Sequence, residues 1–418
     1  MRDLHSTKAS LARPYCSMPN AFTQFTQNHQ SEKPFLKSAD GEVLATYADF
    51  ETETGRYLDA LSALGINPGD RVAVQVEKSP QVLFLYFACL RGGIIYLALN
   101  TAYQKEEIRY FIEDAEPALF VADPAKATEA AALGAKLVHT MDRDGAGSLR
   151  DLASRSASSD HVEPVSVDDT AVILYTSGTT GKPKGVVRDN GGHAVAMTYS
   201  MDAVYDMKPG EVFWAASDIG WVVGHSYIVY APLLFGCSTV LYEGKPVRTP
   251  NAGAFWRVVE EYKVKVLFSA PTAFRAVRKE DPQAAFYKKY DLSSLKALYL
   301  AGERLDPPTY YWLHEISGLP IVDHWWQTET GWAIASNPRG LESFTPKAGS
   351  ATKPTPGFQV EILDPEGKQV AAGEQGSIVI KRPLPPSCLP TVWGNQTRFE
   401  ESYLNSYPGY YLTGDGGF

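Results

Sequence analysis

Apolar positions along this chain switch between two spacings, and the switches mark out its elements. Between Thr46 and Gly69, Leu58, Leu61 and Leu64 fall three apart on one helical face, and Gly65-Ile66-Asn67-Pro68-Gly69 ends the run as a turn. Val72 to Val76 is a mostly apolar strand, Gln81 to Arg91 is apolar on most sides and suits a buried helix, and Ile94 to Leu97 is a second strand. An amphipathic helix from Lys105 to Glu113 and a strand from Ala118 to Ala122 follow. Strand and helix in alternation at this spacing predict a layered α/β domain. The polar stretch Asp142 to Asp160 reads as a surface connection with one short helix. A second α/β series then begins at Ala171 to Tyr175 and continues through Thr239 to Tyr242, Val264 to Phe268, Ala297 to Leu300 and Ile321 to Asp323. After about Lys347 the texture changes. Phe358 to Leu363 and Gly376 to Ile380 are short half-buried strands separated by turns such as Asp364-Pro365-Glu366-Gly367, without helices between them. The pattern divides the chain into residues 1–165, 166–346 and a β-rich 347–418.

With 418 residues the chain exceeds one ordinary core, in keeping with several packed units. Its formal charge of -9 argues against nonspecific nucleic-acid or anionic-membrane binding, yet leaves room for a phosphate held by a local glycine-rich site. No run of about 18 uncharged apolar residues occurs, so no membrane insertion is expected. Cys16, Cys89, Cys237 and Cys388 have no metal-like spacing and are too few for a disulfide scaffold, which points to a reducing compartment, the cytoplasm or an organelle matrix. The first 15 residues lack an apolar signal-peptide centre and read as a frayed arm.

The strongest local signal is Tyr175-Thr176-Ser177-Gly178-Thr179-Thr180-Gly181-Lys182-Pro183-Lys184-Gly185, directly after a strand. Glycines expose backbone N–H groups, the hydroxyls add donors, and two lysines add charge, all of which a polyphosphate requires. The glycine spacing and Pro183 do not fit a Walker A loop. Composition alone leaves a plain surface turn as the alternative.

The segment resembles the phosphate loop of the adenylate-forming superfamily. Three more stretches match the same family in order: Asp218 to Tyr227, Asp323-His324-Trp325-Trp326-Gln327-Thr328-Glu329-Thr330-Gly331, and Tyr411-Leu412-Thr413-Gly414-Asp415. From about residue 186 onward the chain resembles the short-chain branch, the acetyl- and propionyl-CoA synthetases. Gly93 to Tyr103 and Asp114 to Pro117 are more similar to malonyl-CoA or medium-chain ligases, so a chimera, an engineered protein and a divergent member all stand as readings. The resemblance implies the α/β fold of that family's large N-terminal domain, with two stacked α/β subdomains and a small β-rich one.

It also implies roles. Thr176, Ser177, Gly178, Thr179, Thr180, Gly181, Lys182 and Lys184 would hold the β- and γ-phosphates of ATP. Glu329 would be the Mg²⁺ ligand, Gln327 and Thr328 would lie at the nucleotide, with Thr328 beside the adenylate phosphate, and Asp415 would accept from both ribose hydroxyls. Gly302, Glu303 and Arg304, with Asp323, His324 and Trp325, would wall the adenine. Trp221, Val222, Val223 and Trp326 would form a short acyl pocket with Trp326 as its floor. Thr176, Lys184, Thr328 and Glu329 are the candidate catalytic residues. His225 either shapes the pocket or is structural. No Arg or Lys lies between Ile219 and Tyr227, which speaks against a second substrate carboxylate.

The implied reaction activates a short-chain acid, propionate or acetate, to an acyl-adenylate and then to acyl-CoA, with ATP, Mg²⁺ and coenzyme A. The alternatives are transfer to a carrier-protein thiol, or a nucleotide-binding module with little turnover. The last follows because the family continues beyond Asp415 with a hinge and a small domain carrying a lysine used in adenylation, whereas this sequence stops at Phe418.

Overall fold

The computed structural model describes residues 20–26, 30–38, 41–176 and 182–418. The expected N-terminal arm and the centre of the phosphate loop, Ser177 to Gly181, lie outside the described residues. The first sheet contains β1 (Arg71–Gln75), β2 (Ile95–Ala98), β3 (Leu119–Ala122), β4 (Val138–Thr140), β5 (Thr170–Thr176) and β6 (Lys184–Asp189), in the order β4-β3-β1-β2-β5-β6. All neighbours are parallel except β6, which runs antiparallel to β5. The second sheet is wholly parallel: β7 (Val212–Ala215), β8 (Ser238–Thr239), β9 (Val264–Ser269), β10 (Ala297–Leu300) and β11 (Ile321–Asp323), in the order β8-β7-β9-β10-β11.

Successive side chains of a strand point to opposite faces, and here both faces are apolar. In the first sheet Val72, Val74, Tyr96, Val121 and Leu174 face one side. Ala73, Leu97, Phe120 and Ile173 face the other, against Ile108 and Phe111 of helix α3 (Lys105–Ala115). The second sheet repeats this, with Phe213, Phe268 and Tyr299 inward and Trp214, Leu267 and Leu298 outward. The two inward faces share one core. It is filled by α1 (Tyr47–Ala63), α2 (Pro80–Arg91), α4 (Gly191–Ala203) and the π-type turn His225–Tyr230. Helices α5 (Ala254–Tyr262), α6 (Pro271–Glu280) and α7 (Pro307–Ser317) cover the outer face of the second sheet. The result is the mixed α/β, two-sheet architecture expected from the sequence. Among the described residues no helix is long and apolar enough to cross a membrane.

Two expectations need correction. Ala171 to Tyr175 does not head the second series: it is β5, paired with β2 through Tyr96↔Val172 and Ala98↔Leu174, so a division after residue 165 cuts the first sheet. An apolar run declares burial but not its partner. The strand expected at Thr239 to Tyr242 is found at Ser238–Thr239, paired with β7, and Val240 and Tyr242 pack on the outer core instead.

A third, antiparallel sheet of β12 (Val360–Leu363), β13 (Gly376–Lys381) and β14 (Tyr410–Gly417) lies beside the first. Trp393 N–H donates to Gly185 O (2.8 Å), and a Cβ at Gly185 would sit 3.0 Å from Trp393 Cβ, so this approach needs a small residue.

Candidate active site

β5 and β6 pair Thr176 opposite Lys184, and both residues line a cleft of about 630 Å³. The walls include Thr176, Lys184, Trp221, Val222, Gln327, Thr328, Glu329, Arg398, Tyr403 and Asp415. Thr176 Oγ1 is buried there with no hydrogen-bond partner among the described residues. Lys184 Nζ lies 4.9 Å from the ring centroid of Tyr403. Burial lowers its pKa, opposed by the charge of Glu329. Lys182 reaches outward over Tyr110 at 5.6 Å.

The Gln327-to-Gly331 segment is braced from behind by β6. Arg188, fully buried, donates from Nη1 to the carbonyls of Glu329 (3.0 Å) and Ser387 (2.7 Å). A Cβ at Gly331 would lie 2.5 Å from Ser387 Oγ and 3.1 Å from the Arg188 guanidinium carbon, so this close approach needs glycine. Burial pushes the Arg188 pKa down to about 10. Leu389 N–H also donates to Glu329 O (2.8 Å), so the main chain at Glu329 is held twice. The carboxylate itself accepts from Tyr403 Oη at 2.6 Å. Across the cleft, Asp415 Oδ2 accepts from Trp325 Nε1 (2.9 Å) and Gln327 Nε2 (2.8 Å), fixing one oxygen.

Gly302, Glu303, Arg304 and Asp323 gather at the carboxyl ends of neighbouring β10 and β11, beside rather than in the cleft. Glu303 is turned away to Arg275 (2.6 Å) and Thr272 N (2.9 Å). His324 departs from the expectation that it walls a ligand. It is buried with Nδ1 at Leu300 O (2.9 Å) and Nε2 at Tyr205 Oη (3.1 Å), and burial lowers its pKa to about 4. Its ring thus belongs to the core. His225 is also a core histidine: it stacks on His193 at 4.7 Å and meets Tyr86 Oη through Nδ1. Of the acyl quartet, Trp221 and Val222 line the cleft, while Val223 and Trp326 stand behind it, half-buried. Trp326 is edge-on to Tyr227 (5.6 Å). The glycines of this stretch have steric causes. A Cβ at Gly220 would meet Asn100 Cα at 2.8 Å, and one at Gly224 would meet Asp218 O at 2.0 Å.

The family model described as AMP-binding enzyme matches residues 22–386. The chain belongs to the AMP-binding enzyme family. An uncharacterized protein of Pseudomonas aeruginosa is 46% identical over 89% of this chain and 63% of its own length. Acyl-CoA synthetase short-chain family member 3, mitochondrial, of Mus musculus is 40% identical over 96% and 63%, respectively. Propionate–CoA ligase of Salmonella typhimurium is 41% identical over 88% and 62%. The crystal structure of ATP-bound MatB from Rhodopseudomonas palustris matches with a TM-score of 0.83 at 29% identity, covering 95% of this chain and 76% of that one. The chain therefore spans a little under two thirds of the curated relatives' length, at 62–63%.

Besides Arg188, two residues of this AMP-binding enzyme family member escape the sequence reading. Helix α8 (Gln396–Tyr403) brings Tyr403 to Glu329, and Arg398 to Pro183 O (3.1 Å) and to Lys182 O. No local pattern marks a short helix more than 200 positions from the loop it touches. Among the described residues no group of three or more His, Cys, Asp or Glu side chains is placed to hold a metal. A cation at Glu329 would therefore draw its remaining ligands from phosphate and water, as Mg²⁺ commonly does.

Asp323 supplies a test of its surroundings. Burial raises its pKa from 3.8 to about 6, against the opposing pull of Leu305 N–H and Arg304. The native state thus favours the neutral acid. That contribution is complete below the unfolded value and is lost as pH rises through about 6. Asp323→Asn, neutral throughout, is expected to be more stable than the parent near pH 7.5 by on the order of 2 kcal/mol, the gain fading toward pH 4. Urea unfolding at several pH values reads this directly, and equal stabilities near pH 7.5 would contradict it.

Proposed function

We propose that this chain carries the adenylating site of an AMP-forming acid:CoA ligase acting on a short-chain acid, propionate or acetate. The supporting observation is the convergence of Thr176, Lys184, Glu329 and Asp415 on one cleft, although they come from distant parts of the sequence. Relatives named as short-chain acyl-CoA synthetase and propionate–CoA ligase favour the acid's size.

In this reading a substrate carboxylate oxygen attacks the α-phosphorus of ATP, the bond to the bridging oxygen breaks, and pyrophosphate leaves with that electron pair. The CoA thiol then attacks the acyl carbon, loses its proton, and expels AMP. The chain's share is positioning and charge. Thr176 Oγ1 and Lys184 Nζ would meet phosphate oxygens, the Glu329 carboxylate would hold the cation, and the Asp415 carboxylate would accept from the ribose. Trp221 and Val222 offer the acyl group an apolar wall that excludes water. Bound Mg²⁺ supplies neutralisation of the charge on the phosphates.

Calorimetry with propyl-AMP ester, a stable stand-in for propionyl-adenylate, is expected to show binding that ATP competes away. Pyrophosphate release should be faster with propionate and acetate than with malonate. An ester that fails to compete with ATP would overturn the reading.

A further inference from the structure

Glu329 is held at its main chain by Arg188 and Leu389, yet those bonds leave the side-chain torsions free. What fixes the carboxylate is Tyr403. Its hydroxyl donates to Oε1 at 2.6 Å, and the ring has little freedom to leave. It is buried at 5% exposure and stacks on Tyr411 at 5.2 Å and 11°. Tyr411 is itself fully buried and donates to Gln327 Oε1 (3.2 Å). The opposite end of the same helix is pinned to the phosphate-loop flank by Arg398. Lys184 stands over the Tyr403 ring, and among the described residues no ion pair joins Lys184 directly to Glu329. Tyr403 therefore touches both charged groups, and its hydroxyl occupies Oε1 while Oε2 has no protein partner among the described residues.

We propose that Tyr403 is a positioning residue for Glu329, holding Oε1 so that Oε2 is presented to a divalent cation carried on the nucleotide phosphates. This rests on the reading of Glu329 as the metal-facing carboxylate. A ligating carboxylate that is itself hydrogen-bonded needs no reorientation when the cation arrives, and removing such an outer partner commonly costs 10–100-fold in metal affinity. A phenylalanine at this position keeps the stack on Tyr411 and the face beneath Lys184, and deletes only the hydroxyl.

The experiment is calorimetric titration of ATP into the parent chain, Tyr403→Phe and Glu329→Gln, each in EDTA and in excess Mg²⁺. The readout is the metal-linked gain, the Kd in EDTA divided by the Kd in Mg²⁺. Tyr403→Phe is expected to lower that gain by roughly tenfold or more, the loss of affinity in Mg²⁺ exceeding any loss in EDTA by that factor. Glu329→Gln should abolish most of the gain. If Tyr403→Phe keeps the parental gain while Glu329→Gln loses it, the positioning role is overturned and the functional reading survives. A fall in the EDTA affinity as large as that in Mg²⁺ would mean that the Tyr403 hydroxyl serves the nucleotide and not the cation, and would also overturn the role. If Glu329→Gln keeps the full gain, the reading of Glu329 fails first, and the inference with it.

Discussion

In Trp326→Gly, the preference for a hexyl over a propyl AMP ester is expected to rise roughly 60-fold. The indole is half-buried and edge-on to Tyr227, with Phe268 at 6.2 Å, so deleting it opens a space lined by aromatic carbon. The neighbouring backbone has independent support. Trp325 N–H donates to Ala335 O (2.9 Å), and Trp325 O accepts from Ile334 N–H (2.9 Å). Gln327 is tied to Thr413 O (2.7 Å) and Asp415, so the phosphate-side residues need not shift. Three added methylenes at about 0.8 kcal/mol each then account for the change. Calorimetry with a series of alkyl-AMP esters measures it. A parental chain-length profile, in a variant whose circular dichroism is unchanged, would remove Trp326 from the acyl pocket.

Asp415→Asn is expected to weaken ATP binding on the order of 100-fold and to erase most of the distinction between ATP and 2′,3′-dideoxy-ATP. Oδ2 of Asp415 already accepts from two donors, Trp325 Nε1 and Gln327 Nε2. An asparagine must turn its single oxygen toward them, because an amide N–H there would face N–H groups. Its NH₂ then points where Oδ1 was, and an acceptor for ribose hydroxyls becomes a donor. Competition titrations of both nucleotides against parent and variant form a double cycle. If the loss is the same for ribo- and dideoxy-nucleotide, Asp415 does not bind the ribose.

The site is legible in the sequence where its residues share a short segment, and obscure where tertiary approach makes them neighbours. Thr328 and Glu329 sit in one distinctive run, and Asp415 in another, so each draws notice. Arg398 and Tyr403 lie on an ordinary polar helix, and nothing in Gln396 to Tyr403 tells that it crosses the phosphate-loop flank. Arg188 is harder still: a charge in mid-strand reads as an exposed position, yet here it is fully buried because the Glu329 and Ser387 carbonyls receive it. The fold was legible through alternation of strand and helix. The pairing of β5 was not, since both of its faces are apolar and any sheet would accept them. His324 misled for a related reason. It lies within a motif of cleft residues, but its ring nitrogens are both engaged by the core.

The cleft has walls from the β5–β6 hairpin, from Trp221 and Val222, from Gln327 to Glu329, and from α8 and β14. No single layer supplies all of these walls, so a ligand that fills the cleft would draw its contacts from several of them. Mass action then makes occupancy a source of cohesion. At a hundredfold excess over Kd, a ligand specific for the assembled state adds about 2.7 kcal/mol to stability. Every partial opening that separates the antiparallel layer from the first sheet forfeits that energy. A molecule saturated with such a ligand is therefore expected to open along these seams less often than an empty one.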